Sequence, residues 1–260
     1  MSGRALVTGG ARRLGRAMAL ELAERGYAVA VHYSGSKAEA GDVADTIRAM
    51  GRKAATIQAD LTDEAQIQGL VPQAMDLLGG PVEVLINNAS IFEYDTIKSA
   101  TRESWDRHLE SNLRAPVALT QAVADAMPPA GTDDRDEPVA RGLVVNMVDQ
   151  RVRKLTPEFM SYTIAKMGLW AFTRTAAQAL APHVRVNAIG PGPTLKAAKQ
   201  SEAHFAKQRE GTILRRGANE EDIVAALRYF LEAKAVTGQL LCVDGGQHLG
   251  WQTPDIQGVE

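Results

Sequence analysis

The chain opens on a short apolar run, Ala5-Leu6-Val7, that passes at once into Thr8-Gly9-Gly10-Ala11-Arg12-Arg13-Leu14-Gly15. A helical stretch follows, with apolar residues at Leu14, Ala17, Met18, Leu20 and Leu22, and Gly26 stands where a left-handed cap is expected. Strand, glycine turn and helix in that order restrict the fold more than any other feature. They demand a β-α unit whose backbone can pass close to a ligand at the helix start. The free N–H groups and the positive end of the helix dipole there suit a pyrophosphate. A glycine turn without a ligand is the alternative, and the flanking strand and helix weigh against it. The opening run itself is too short for a signal-peptide core or a membrane span.

The alternation continues down the chain. Apolar, β-rich runs occur at Ala28–Tyr33, Ala54–Ala59, Val82–Asn87, Gly142–Val148, Val184–Ile189 and Gln239–Val243. Between them, helical patterns are expected at about Ala38–Met50, Glu64–Leu78, Arg102–Met127, Phe159–Ala181 and Glu220–Ala233. Continuously apolar strands separated by helices predict an α/β fold, a Rossmann-type doubly wound parallel sheet with helices on both faces. A length of 260 residues suits one dinucleotide-binding domain over 1–260. Pro128–Arg141 is polar and reads as an exposed loop, and the tail Gly250–Glu260 has little pattern.

Net charge of −2 and a pI near 6.2 give no footprint for nucleic acid or a membrane surface. The single cysteine, Cys242, lies in an apolar run and is expected as a core thiol, which fits the reducing cytoplasm. The five histidines are scattered, and no Cys/His cluster has metal-site spacing, so no metal is expected.

Two groups of residues carry chemistry. At the end of the second strand, His32-Tyr33-Ser34-Gly35-Ser36 contains no acid to hold an adenosine ribose 2′-hydroxyl. His32, Ser34 and Ser36, with Arg12 and Arg13 from the first turn, instead offer donors and positive charge to a 2′-phosphate, which favours NADP(H). Further on, the strand Gly142–Met147 leads to Asp149, and Tyr162 and Lys166 stand four apart on one helix face. A phenol, a cation and a carboxylate across a loop form a proton-transfer constellation. Taken alone, Tyr-x-x-x-Lys is better explained by a half-buried tyrosine beside a snorkelling lysine, and the opening of the chain reverses that balance.

Thr8-Gly9 with Gly15, Asp60 after the third strand, Asn87-Asn88-Ala89, Asn112, Tyr162 with Lys166, Pro191-Gly192 and the ending Val243-Asp244-Gly245-Gly246 follow in a specific order. In that order they resemble the short-chain dehydrogenase/reductase family over nearly the whole chain. Two departures are informative: Arg13 replaces the middle glycine of the family's turn, and Asp149 stands where the catalytic serine is usual. Both resemble the pteridine reductase branch, as do His32-Tyr33 and Phe92 after Asn87-Asn88-Ala89-Ser90.

The resemblance implies that Gly9, Arg12, Arg13, Leu14 and Gly15 line the pyrophosphate turn and that His32, Tyr33 and Ser34 lie near the 2′-phosphate. Asp60 and Leu61 would meet the adenine, and Asn88 and Ala89 the adenosine side of the cleft. Ser90 would face a cofactor phosphate and the substrate, and Phe92 the substrate ring, with Ile91 the alternative inward residue. Tyr162 and Lys166 would hold the nicotinamide ribose, Asn112 a water against Lys166, and Pro191, Gly192, Thr194 and Leu195 would close over the carboxamide. Arg13, Ser90, Phe92, Asp149 and Tyr162 would bind substrate, and the catalytic set would be Asp149, Tyr162, Lys166 and Asn112.

Free tyrosine and lysine have pKa values of ~10 and ~10.4, so both carry their protons near neutrality. Lys166 is expected to lower the phenol's pKa and an ionised Asp149 to raise it. An ionised aspartate cannot donate a hydrogen bond to a ketone oxygen but accepts readily from the N–H groups of a 2-amino-4-oxo-pteridine. The expected reaction is NADPH-dependent reduction of a pterin or dihydropterin C=N bond. The alternatives are a reductase of ketones, quinones or acyl thioesters on the same fold, and a non-catalytic NADPH-binding regulatory protein. The segment Thr194–Glu210 would be a substrate lid. The resemblance also implies a homotetramer pairing helices Arg102–Met127 and Phe159–Ala181, with Leu169, Trp170, Phe172 and Leu180 either at that contact or in the core.

Overall fold

A computed structural model describes residues 3–196 and 200–252. In chain order its elements are β1 (Arg4–Val7), α1 (Arg13–Glu24), β2 (Ala28–Tyr33), α2 (Lys37–Ala49), β3 (Ala54–Gln58), α3 (Glu64–Leu78) and β4 (Val84–Asn87). Then come α4 (Arg102–Leu109), α5 (Ala115–Asp125), β5 (Gly131–Thr132), β6 (Pro138–Val139) and β7 (Gly142–Met147). The chain continues with α6 (Met160–Leu180), β8 (Val184–Pro191), α7 (Glu202–Glu210), α8 (Glu220–Glu232) and β9 (Leu240–Val243).

Seven strands form one sheet in the order β3-β2-β1-β4-β7-β8-β9, every neighbouring pair parallel. The period-2 geometry of a strand sends alternate side chains to opposite faces. Thus Ala5 and Val7 join Met18, Leu22, Val43, Ile47, Leu227 and Phe230 in the layer under α1, α2 and α8. Leu6 points the other way, onto Ile67, Leu70, Leu119 and Val123 under α3 and α5. Both faces are covered, which is why the strands read as continuous apolar runs. The sheet order reverses between β1 and β4, leaving a crevice beyond their carboxyl ends where ligands of such sheets bind.

Element ends fall within two residues of the expected ones with one exception. Arg102–Met127 is not one uniform α-helix, because a π-helical turn, Glu110–Arg114, separates α4 from α5. Pro116 has no N–H to return to the carbonyl of Asn112, so the α-helical ladder cannot run through this point. Pro128–Arg141 contains a two-residue antiparallel hairpin, β5 with β6. Cys242 is half-buried in the edge strand β9 rather than a core thiol, and burial pushes its thiol up to about 11. Leu169 is fully buried against Val148, Val152 and Ala188, with Trp170 and Phe172 packed on that cluster. Among the described residues no helix is long and apolar enough to cross a membrane, and no group of three or more His, Cys, Asp or Glu could hold a metal ion.

Candidate active site

The glycine turn at the end of β1 is braced from three sides. Gly9 has φ +60° and a Cβ on Gly15 would lie 2.1 Å from the Gly9 carbonyl oxygen, so neither position accepts a side chain without rebuilding the turn. Asn88 Nδ2 donates to the carbonyls of Thr8 (2.9 Å) and Gly9 (3.1 Å). Thr8 Oγ1 accepts from the amides of Asn88 (2.9 Å) and Ala89 (3.0 Å) and donates to Ile86 O. The third brace is His32, whose Nδ1 accepts from Gly9 N at 3.0 Å while Nε2 faces the Ala59 carbonyl at 3.0 Å.

That geometry corrects one expectation. A ring nitrogen that accepts from an amide carries no proton, so His32 is the neutral Nε2–H tautomer, with both nitrogens occupied. Burial depresses its pKa below the ordinary value. His32 therefore offers neither a free donor nor positive charge to a phosphate; it holds the turn. Tyr33 packs on the α1/α2 layer and does not line the crevice. Arg12 does line it, ion-paired with Glu39 of α2.

A cavity of ≈ 410 Å³ lies over this turn, lined by Gly9, Arg12 to Gly15, His32, Ser34, Asp60, Leu61 and Asn88 to Ile91, together with Thr62 and Ser111, which sequence reasoning missed. The N-cap Arg12 makes no side-chain cap bond, so the first amides of α1 keep their donors for a ligand. Glycines that exclude a Cβ, uncapped helix amides and a guanidinium at the rim fit a dinucleotide phosphate.

A second cavity, of ≈ 780 Å³, continues from it past Arg13, Leu14, Asn88 and Ser90 to Phe92, Asp149, Tyr162, Lys166 and the Pro191–Leu195 segment. Tyr162 and Lys166 project from α6, and Asp149 follows β7. The Tyr162 hydroxyl donates to Asp149 Oδ2 at 2.9 Å, while Asp149 Oδ1 accepts from the Arg151 amide at 2.8 Å. Lys166 Nζ donates to the Met147 carbonyl at 2.8 Å. Tyr162 and Lys166 are nearly inaccessible to water, at 5% and 2% exposure. Burial, and then the charge and hydrogen bond of Asp149, push the phenol well above its ordinary pKa, outweighing the lowering by Arg151 and the Ser90 hydroxyl. Burial brings Lys166 down to about 8, and it lifts the Asp149 carboxyl above the usual carboxylate range. Tyr162 thus holds its proton tightly at neutral pH.

An aromatic wall stands beside this triad. Phe92 stacks on Phe159 with centroids 4.3 Å apart and meets Tyr162 edge-on at 4.8 Å, while the Arg151 guanidinium covers the Phe159 ring at 4.9 Å. Phe92 lines the larger cavity and Ile91 the smaller, which divides the two expected alternatives between the two cavities. Asn112 lines neither. It is fully buried and clamps the Ile91 backbone, accepting from its N–H at 2.9 Å and donating to its carbonyl at 2.8 Å. Of the expected lid, α7 contains no buried residue but sets His204 and Phe205 on the larger cavity; Ala197 lies outside the described residues. Phe159 and Arg151 were missed by the sequence analysis. The signal for them is distance along the chain: they fill the turn between Asp149 and Tyr162.

Comparison with known proteins agrees with this architecture. The family model for short chain dehydrogenases matches residues 4–207. A 3-oxoacyl-[acyl-carrier-protein] reductase, FabG, of Staphylococcus epidermidis is 31% identical over 254 residues, covering 96% of this chain and all of that protein. Among solved structures, FolM alternative dihydrofolate reductase 1 from Brucella suis in complex with NADP superposes with a TM-score of 0.90 at 44% identity, covering 98% of each chain. A short chain dehydrogenase from Burkholderia cenocepacia J2315 in complex with NADP gives 0.85 at 30% identity, covering 94% of this chain and 97% of that one. The chain belongs to the short-chain dehydrogenase/reductase family, oxidoreductases that use nicotinamide dinucleotides.

Proposed function

We propose that the protein is an NADPH-dependent reductase acting on the C=N bond of a pterin or dihydropterin. The observation that carries this reading is the hydrogen bond from the Tyr162 hydroxyl to Asp149, at the position where a ketone reductase of this family has a donating serine. Bound NADPH supplies the hydride. The protein's own groups handle the proton. Tyr162, buried and kept neutral, is the donor to the ring nitrogen that becomes basic as its carbon is reduced. In its ionised form Asp149 would accept N–H groups of the heterocycle and repel a carbonyl oxygen. Lys166 adds positive charge behind both. Phe92 offers a flat face to a fused ring. The 44% identity to the Brucella suis alternative dihydrofolate reductase supports the same substrate class.

A second reading, reduction of a 3-oxoacyl thioester, is favoured by the FabG relatives. Asp149 weighs against it, because an ionised carboxylate cannot stabilise an incipient alkoxide. A non-catalytic NADPH binder would have no use for a buried, proton-bearing Tyr162. We take the enzyme to be cytoplasmic and a homotetramer, the latter open to sedimentation analysis. The test of the substrate is NADPH oxidation with dihydrobiopterin, dihydrofolate, a 3-oxoacyl thioester and simple ketones. Turnover of the dihydropterins is the expected result, and turnover confined to carbonyl substrates would overturn it.

A further inference from the structure

Helix α6, which carries Tyr162 and Lys166, begins without a cap of its own. Phe159 at its N-cap position has left-handed backbone (φ 55°, ψ 47°) and its side chain accepts no bond. The cap comes from Asp95, in the segment that carries Phe92. Asp95 Oδ1 accepts from Ser161 N at 3.1 Å, its carbonyl accepts from Met160 N at 3.3 Å, and its Oδ2 accepts from the Ser161 hydroxyl. Ser161 Oγ lies 2.6 Å from His108 Nδ1, and His108 Nε2 accepts from Glu93 N at 3.1 Å. A nitrogen facing an amide N–H must be the acceptor, so the His108 proton is on Nδ1 and points at Ser161. The result is a closed relay, Glu93 N–H to His108 to Ser161 to Asp95, whose two ends lie two residues apart in one segment. Asp95, His108 and Ser161 are 2%, 0% and 0% exposed, and none of them lines either cavity.

We infer that Asp95, Ser161 and His108 are positioning residues that lock the segment bearing Ser90 and Phe92 onto the first turn of α6, and so hold the substrate wall in register with the Tyr162 hydroxyl. Half-satisfied buried networks are costly, so breaking one link should loosen the others. The functional consequence rests on the reading of Tyr162 as proton donor to a ring substrate. Protonation of His108 would set an N–H against the Glu93 N–H and open the relay. The charges facing this ring are Glu93 and Asp95 from the segment, Arg107 from α4 and Lys166 from α6, with Tyr162 edge-on at 6.0 Å. Burial outweighs the two carboxylates and depresses the ring's pKa, so the relay stays closed at neutral pH.

His108→Asn and Ser161→Ala test this in the full chain. The first readout needs no substrate: amide hydrogen exchange at Glu93 and Ser161. The Ser161 amide bonds Asp95 and not His108, so it reports coupling alone. In His108→Asn both amides should exchange about tenfold faster or more. Faster exchange at Glu93 with Ser161 unchanged would overturn the coupling. The second readout is kinetic. With dihydrobiopterin, kcat/KM should fall about tenfold or more while the Kd for NADPH stays within about twofold, and the acid limb of the pH profile should lose the His108 ionisation and keep only that of Asp149. An unchanged kcat/KM with the same acid limb would overturn the positioning role. Should His108→Asn fail to fold, Ser161→Ala, which keeps a good helix former at that position, carries the same readouts at Glu93. If the wild type turns over no pterin, the substrate reading fails while the exchange result still decides the relay.

Discussion

The guanidinium of Arg13 donates to the carbonyl oxygen of Leu195 at 3.0 Å, spanning 182 residues of sequence and the mouth of the cleft. A second bond, to Lys196 O at 3.0 Å, makes the grip two-pronged. Arg13 thereby ties the phosphate turn to the segment that lines the far side of the larger cavity. It does so from a left-handed backbone position, φ +51°, of the kind that suits the glycine usual in this family. Side chains there cost about 1–2 kcal/mol, which argues that the side chain is retained for its reach.

Arg13→Gly should separate these two effects. Relief of the backbone strain should leave thermal stability unchanged or raise it by up to roughly 1 kcal/mol. Loss of both bonds should raise KM for dihydropterin about tenfold, the equivalent of ~1.4 kcal/mol. Steady-state kinetics beside a urea titration would check both. A variant with lower stability and unaltered KM would show that the bridge serves only the fold.

Tyr162→Phe removes the one hydroxyl that Asp149 Oδ2 holds. Turnover should drop by about 10²–10⁴-fold, the usual worth of a positioned acid. NADPH affinity should change little, because the phosphate turn is braced by Thr8, Asn88 and His32 instead. Fluorescence titration of NADPH against the variant is the control. Turnover retained within a few-fold would remove Tyr162 from the proton path.

Burial lifts the Asp149 carboxyl above its ordinary value, so folding disfavours its ionised form. This destabilising contribution is absent at low pH, where the group is protonated folded and unfolded alike. It grows as pH rises from the unfolded value through the raised folded one and is constant above that. Asp149→Asn should therefore gain stability relative to wild type as pH rises across that window, while losing dihydropterin turnover. Urea midpoints at pH 4 and pH 7 measure the first effect. A difference between the two proteins that shrinks with rising pH would contradict the sign.

Much of the site was legible because its residues sit at fixed offsets within local units. Gly9, Arg13 and Gly15 belong to one turn, and Tyr162 and Lys166 are one helical turn apart, so spacing alone puts them on a face. Asp149 could be read from the end of its strand. What escaped depends on meetings between distant segments. His32 looked like a phosphate donor, and only the approach of Gly9 and Ala59 reveals that both its nitrogens are occupied. The relay of Asp95, His108 and Ser161 joins three elements with no shared motif. Asn112 was readable by its place, but the π turn around it follows from Pro116, four residues on, and shows no hydrophobic period. The phenol's pKa was open in sign, with Lys166 and Asp149 expected to pull in opposite directions, because burial, which a sequence does not display, is the largest influence and sends it upward.

The Arg12–Glu39 ion pair bears on the choice between NADPH and NADH. Arg12 lines the smaller cavity, and Glu39, in the first turn of α2, competes for its guanidinium. The side chains of Arg12 and Glu39 are 60% and 40% exposed, so water and salt screen the pair and the competition is mild. An anion as strong as a 2′-phosphate should displace Glu39, whereas a ribose hydroxyl should not. Glu39→Gln would then tighten NADPH binding by about twofold to fivefold and leave NADH unaffected, with the gain shrinking as ionic strength rises by the ordinary screening of exposed charges. Arg12→Ala should act in the opposite sense, weakening NADPH by about tenfold, as expected for loss of a charge-assisted contact. Titrating cofactor fluorescence at low and at physiological salt checks all four cases. If Glu39→Gln improves both cofactors equally, Arg12 meets the pyrophosphate that the two share, and the preference for NADPH must arise at Ser34 or Ser36.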